Sequence, residues 1–116
     1  MRIVSLSPAA TYLLNALGFN GRVLDLSDEH ADAPVRLAEF APSLVFASTD
    51  DPHLPAWRSI IESACGNSAT PRFVTTRYDT TDAFMESALV IGAVIGRPAN
   101  AVQLVLSIMQ RGARAD

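Results

Sequence analysis

Lysine is absent from this chain of 116 residues, whose nine basic side chains are all arginine, scattered from Arg2 to Arg114. We read that absence as codon bias without chemical consequence. Basic excess is missing too: the formal net charge is −3, so nothing draws the chain to phosphate backbones or anionic lipid. Nucleic acid is therefore not expected as a partner. Cys65 is the only cysteine, which rules out an intrachain disulfide, a zinc-cysteine cluster and a CxxC redox pair. Long apolar runs are lacking as well. The most apolar tract, Leu89 to Ile95, falls far short of the ~20 residues that cross a bilayer, and Glu86 stands just before it. The chain enters an apolar strand directly after Met1-Arg2, without the features of a secretory signal. As written, it is expected to be cytoplasmic; as a mature fragment of a longer protein, periplasmic. Neither GxGxxG nor GxxxxGK[ST] occurs, which removes the main support for nucleotide binding, and no GxSxG marks a nucleophile. There is no internal repeat, low-complexity tract or linker.

What remains is a hydrophobic fraction of 49% with 18% charged residues, enough for one domain with a core and too little chain for two. Arg2-Ile-Val-Ser-Leu predicts a strand. Ser7 and Pro8 follow as a helix N-cap and first helical residue. Leu13, Leu14 and Leu17 recur at helical spacing up to Gly18, a left-handed C-cap position. The alternation continues with a strand at Val23 to Leu26, a helix at Pro34 to Phe40, a strand at Leu44 to Ala47 and a helix at Pro55 to Ala64. A fourth strand is expected at Arg72 to Thr75 and a long helix at Asp79 to Ile95, with Asp79, Thr80 and Thr81 as candidate caps. A last helix runs from about residue 99 to 111 and is apolar around more of its circumference than one packing face requires. Strands alternating with helices imply an α/β fold on a four-stranded parallel sheet.

Ligands of open parallel sheets bind beyond the carboxyl ends of the strands. That rule selects four polar loops: Ser5 to Thr11, Ser27 to Asp32, Ser48 to His53 and Thr75 to Asp79. Ser7 can offer its hydroxyl and the free N–H groups of the following helix to an anionic or carbonyl group, or serve simply as a cap. Asp28, Glu29, His30 and Asp32, with Asp50, Asp51 and His53, are metal-ligand types. They are also the composition of solvated surface loops, and no metal is assigned. The same residues contain a His-carboxylate pair for acid–base work. Tyr12, Trp57 and Tyr78 are the amphipathic aromatics near this edge and can stack on a flat ligand. Trp57 reads better as core, and Tyr78 as exposed. Arg77 can pair with a ligand carboxylate or with Asp79.

Arg2-Ile-Val-Ser-Leu-Ser-Pro-Ala-Ala-Thr, Leu13-Leu-Asn-Ala-Leu-Gly-Phe and Gly21-Arg-Val-Leu-Asp-Leu-Ser-Asp, with Pro34 beyond, resemble the opening of helical-backbone substrate-binding proteins of ABC transporters. The cobalamin-binding type, related to iron-siderophore and haem binders, is the nearest in flavour. Ala41-Pro-Ser-Leu-Val-Phe-Ala-Ser resembles that family's next strand. Ala88 to Pro98 resembles the helix before its interlobe helix. The likeness extends over nearly the whole chain. Tyr12 stands where the family carries an acid, and the family's aromatic and Pro-Pro pattern is reduced here to Ala31-Asp-Ala-Pro.

The resemblance implies a Rossmann-like, periplasmic-binding-protein-like single lobe over residues 1–116, with 99–111 as the start of an interlobe helix. It also implies a non-enzymatic module for a corrinoid, an iron chelate or a similar small ligand. No cofactor is implied, and an ABC permease is a partner if the chain is exported. The ligand would meet Ser7, Pro8, Thr11, Tyr12, Asp28, Glu29, His30, Ser48, Thr49, Asp50, Arg77 and Tyr78. A missing second lobe and the apolar last helix together suggest completion by homodimerisation. Two other expectations stay open: a regulatory or structural α/β domain that has lost ligand binding, and a metal-assisted hydrolase built on the Asp/His loops.

Overall fold

In the computed structural model, which describes residues 1–27, 33–66 and 70–114, β-branched and apolar runs alternate with helices from the first residues onward. The elements are β1 (Arg2–Ser5), α1 (Pro8–Ala16), β2 (Arg22–Asp25), α2 (Ala33–Phe40), β3 (Leu44–Ser48), α3 (Leu54–Cys65), β4 (Arg72–Thr76), α4 (Thr81–Val94) and α5 (Pro98–Arg114). All strand pairs are parallel and the order is β2-β1-β3-β4. The fold is Rossmann-like α/β. Ile3 pairs with Val23 on one side and Leu44 on the other, and Ser48 pairs with Thr76. The chain crosses from β2 past β1 to reach β3, which makes β1/β3 the point where the strand order reverses.

Contacts divide the chain into two units: Met1–Thr11 with Gly21–Thr76, and Tyr12–Asn20 with Arg77–Asp116. The first holds the sheet. On one sheet face Val4, Leu24, Val45 and Ala47 pack with Ala33 and Leu37 of α2 and Ile61 of α3, and half-buried Trp57 and Phe73 close the cluster. Trp57 thus packs against the core. Leu37 and Val45 are wholly buried, and burial at that level stabilises by roughly 1.5–3 kcal/mol per side chain. Residues 44–47 of β3 are buried in succession, as expected of a strand covered on both faces, while the edge strands β2 and β4 are more exposed. Two exposed cations lie over edge aromatics: Arg22 is 5.7 Å from the Phe40 ring centroid and Arg58 is 4.4 Å from that of Phe73.

The second unit is helical. Leu13, Leu14 and Leu17 are buried, and Gly18 takes φ 75°, closing the end of α1 in the left-handed conformation expected of it. Asn100 Nδ2 donates to the Leu17 carbonyl at 2.9 Å, tying the start of α5 to this terminus. Gly92 is buried in α4 against Ala101 of α5. Pro98 is the first residue of α5, one before the expected start. The last helix reaches Arg114, longer than expected, and its Val102, Leu106 and Met109 are 49%, 51% and 56% exposed.

Other boundaries differ by a residue or two. β1 stops at Ser5, not Leu6, and β2 starts at Arg22; β3 and β4 each run one residue further, to Ser48 and Thr76. α3 begins at Leu54, which leaves Pro55 in the first turn, where its missing N–H breaks no bond. α4 begins at Thr81 because Thr80, of the three candidate caps, accepts a hydrogen bond from the Ala83 N–H at 3.0 Å. No helix among the described residues is long and apolar enough to cross a membrane.

Candidate functional site

In the sheet unit the carboxyl ends of β1, β3 and β4 bring part of the expected site together. Leu6 N–H donates to the Phe46 carbonyl at 2.9 Å, and Thr49 N–H donates to that of Thr76 at 2.8 Å. The loop after β1 is pinned from inside. Fully buried Ser5 donates to the Ser7 carbonyl at 2.9 Å and accepts from the Thr11 hydroxyl at 2.8 Å. Ser7 precedes α1 as expected, but its contribution to this network is the carbonyl, which also receives the Thr11 N–H at 3.1 Å. Its side chain is only 8% exposed, so it offers less to a ligand than the loop position suggested. Pro8 is exposed and Thr11 half-buried. After β3, Ser48 Oγ accepts from the Asp50 N–H at 3.3 Å, and Asp51 Oδ1 accepts from that of His53 at 2.9 Å. Thr76 Oγ1 is buried without a hydrogen-bond partner among the described residues.

The expected acidic loop follows β2. Asp28, Glu29, His30 and Asp32 lie outside the described residues. Asp25 Oδ1 holds the start of that loop by accepting from the Ser27 N–H and hydroxyl, at 2.9 and 2.6 Å. Among the described residues no three His, Cys, Asp or Glu side chains are grouped to hold a metal ion, Asp50, Asp51 and His53 included.

Arg77, Tyr78 and Tyr12 belong to the helical unit, and two of them reach a groove there. It is a shallow, open groove of about 610 Å³, lined by Tyr12, Tyr78, Asp79, Thr80, Thr81, Phe84, Ile108 and Arg111. Tyr12 and Phe84 approach with ring centroids 6.1 Å apart and planes tilted by 44°, within the separation of interacting aromatic pairs. The segment before α4 is held by the Thr80 cap and by Ser87 Oγ, which donates to the Arg77 carbonyl at 2.5 Å. Ile108 and Arg111 stand three residues apart on one face of α5. Tyr78 lines the groove but is half-buried with its hydroxyl oxygen enclosed, contrary to the expected exposure.

Charges at the groove are unequal in their commitments. Arg77 Nη2 meets Asp79 Oδ2 at 2.9 Å across an exposed pair, so of its two expected partners Arg77 takes the aspartate. That hydrogen bond, with one from the Asp79 backbone and the nearby guanidinium charge, lowers the Asp79 carboxyl below its ordinary range. Among the described residues Arg111 makes only a long 3.4 Å bond, from Nε to the Ser107 carbonyl of its own helix. Elsewhere, burial raises the Cys65 thiol.

Phe84, Ile108 and Arg111 were not anticipated as site residues. Their one sequence signal is helical spacing, with Phe84 three residues after Thr81 and Arg111 three after Ile108. No family model, curated protein or solved structure matches the chain.

Proposed function

We propose that this chain is a non-enzymatic binding module for a small organic ligand or metal chelate, with the groove of the helical unit as its site. The observation that carries the reading is the groove itself. At about 610 Å³ it falls within the usual size of small-molecule sites, roughly 300–1,000 Å³, and mixes aromatic walls with a few polar groups. Tyr12 and Tyr78, chosen on sequence grounds as ligand contacts, both line it. A corrinoid or an iron chelate is the ligand class that resemblance favours. A thermal-shift panel of cyanocobalamin, haem, ferric chelates, divalent metals and aromatic acids tests the reading, because a ligand that prefers the folded state must raise the melting temperature. A saturable rise with an organic ligand or chelate is expected. Its absence across the panel would favour the alternative of a regulatory or structural α/β domain.

Self-association belongs to the same proposal. Val102, Leu106 and Met109 form a half-exposed apolar stripe along α5, and no charged residue occurs from Pro98 to Gln110. Two copies can therefore meet there without like-charge repulsion. Sedimentation at tens of micromolar is expected to show a dimer, and a clean monomer would remove this part.

A further inference from the structure

We propose that the groove selects a flat, ring-bearing anion: an aromatic system carrying a carboxylate or phosphate group. This deepens the reading of the groove as a ligand site and rests on it. The ring is called for by Tyr12 and Phe84. Tyr12 remains 55% exposed despite its contact with Phe84, so ring surface is still open to a stacking partner, and Ile108 adds apolar wall beside it.

The charge is called for by Arg111. Two charged side chains line the groove, Asp79 and Arg111. The carboxylate of Asp79 is taken up by Arg77, whereas Arg111 spends only Nε, on a long bond within its own helix. Its Nη groups make no hydrogen bond among the described residues and keep the planar fork that matches a carboxylate or phosphate with two parallel bonds. Thr80 and Thr81, at the opening of α4, line the same groove and add hydroxyl groups to its polar lining. A neutral ring would stack without using the guanidinium, and a compact anion without a ring would leave Tyr12 and Phe84 uncovered. Only a ligand that combines both features answers every wall.

Four probes on the full chain separate these contributions: 2-naphthoate, 2-naphthyl phosphate, neutral 2-naphthalenemethanol and cyclohexanecarboxylate. Each is titrated into ¹⁵N-labelled protein and followed by amide chemical shifts. At least one naphthyl anion is expected to bind saturably, moving amides of Tyr12, Thr81, Phe84 and Arg111, and to do so about tenfold more tightly than the alcohol, the scale of one charge-assisted hydrogen bond. Which anion binds better identifies the oxyanion. Arg111→Gln, at an exposed position, is expected to bring the anion-to-alcohol affinity ratio close to one; Tyr12→Ala is expected to weaken all three naphthyl probes. Equal affinity of alcohol and anions, or an advantage that survives Arg111→Gln, would overturn the selection for charge while leaving small-ligand binding standing. Cyclohexanecarboxylate binding as tightly as naphthoate would overturn the selection for a ring. Failure of both naphthyl anions to bind at millimolar concentration would overturn the inference; failure of the whole thermal-shift panel is what removes the broader reading.

Discussion

Replacing Gly92 with alanine sets two opposing effects against each other inside the α4–α5 pair. Alanine favours a helix interior over glycine by about 0.8–1.0 kcal/mol. At this site, however, the new methyl would overlap Cβ of Ala101 and stand 3.1 Å from the Arg97 carbonyl oxygen. Neither neighbour is the far end of a flexible side chain, so the helices themselves must move apart. Overpacking of a filled interior costs about 1–3 kcal/mol. Arg97 N–H also donates to the Gly92 carbonyl at 2.7 Å, and separation would strain that bond as well. A contact this close puts the cost at the upper end of that range, so the overlap wins, and with the alanine preference subtracted Gly92→Ala is expected to destabilise by up to about 2 kcal/mol. Urea unfolding followed by circular dichroism reads this as a lower midpoint at unchanged slope. Adding Ala101→Gly opens the space again, so the double variant should lose less than the sum of the two single changes. A Gly92→Ala protein as stable as the parent, or strictly additive variants, would refute close contact between α4 and α5 at this point.

Three further outcomes follow from the geometry. Ser5→Ala removes a buried hydroxyl that serves both the Ser7 carbonyl and the Thr11 hydroxyl; a loss of about 1–2 kcal/mol in urea unfolding is expected, and a neutral change would show that the network does not hold the turn. The Cys65 thiol, raised by burial, should alkylate more slowly in the folded chain than in urea at mildly alkaline pH, with its rate–pH profile displaced upward; equal rates would contradict the burial. Asp79 titrates below its ordinary range chiefly because Arg77 donates to it. Whatever stability this pair adds is present above the ordinary aspartate range and fades as pH falls through the lowered value. Arg77→Ala should return the Asp79 midpoint upward in an NMR titration with little change in unfolding, since both side chains are about half exposed or more.

The sheet was legible because its signals are local. Ser7-Pro8, Gly18, the Thr80 cap and the apolar run of β3 each state their conformation within a few residues, and parallel order follows once strands alternate with helices. Boundaries slipped at helix starts. The last helix, expected from about residue 99, begins at Pro98, because proline suits the first helical position, where its missing N–H breaks no bond. Positions of the candidate groove and loops were legible only as far as the strand-end rule reaches. It selects Ser48 and Thr76, which the β3–β4 register pairs, and Tyr78, which lines the groove. It cannot select Phe84, Ile108 or Arg111, because these are helix positions whose shared wall depends on tertiary packing far apart in sequence. Arg77 illustrates the opposite limit: two partners were open to it on paper, and a neighbour two residues away takes the bond.

Calorimetric titration of whichever ligand raises the melting temperature, into the parent chain and into Tyr12→Ala, tests most directly whether the groove is the binding site. Tyr12 is 55% exposed, so the variant should keep the fold, which its circular dichroism spectrum verifies. A saturable heat with the parent chain that falls at least tenfold in affinity with the variant, roughly 1.4 kcal/mol, is predicted. Equal affinity in the two proteins would place the ligand elsewhere and contradict the account.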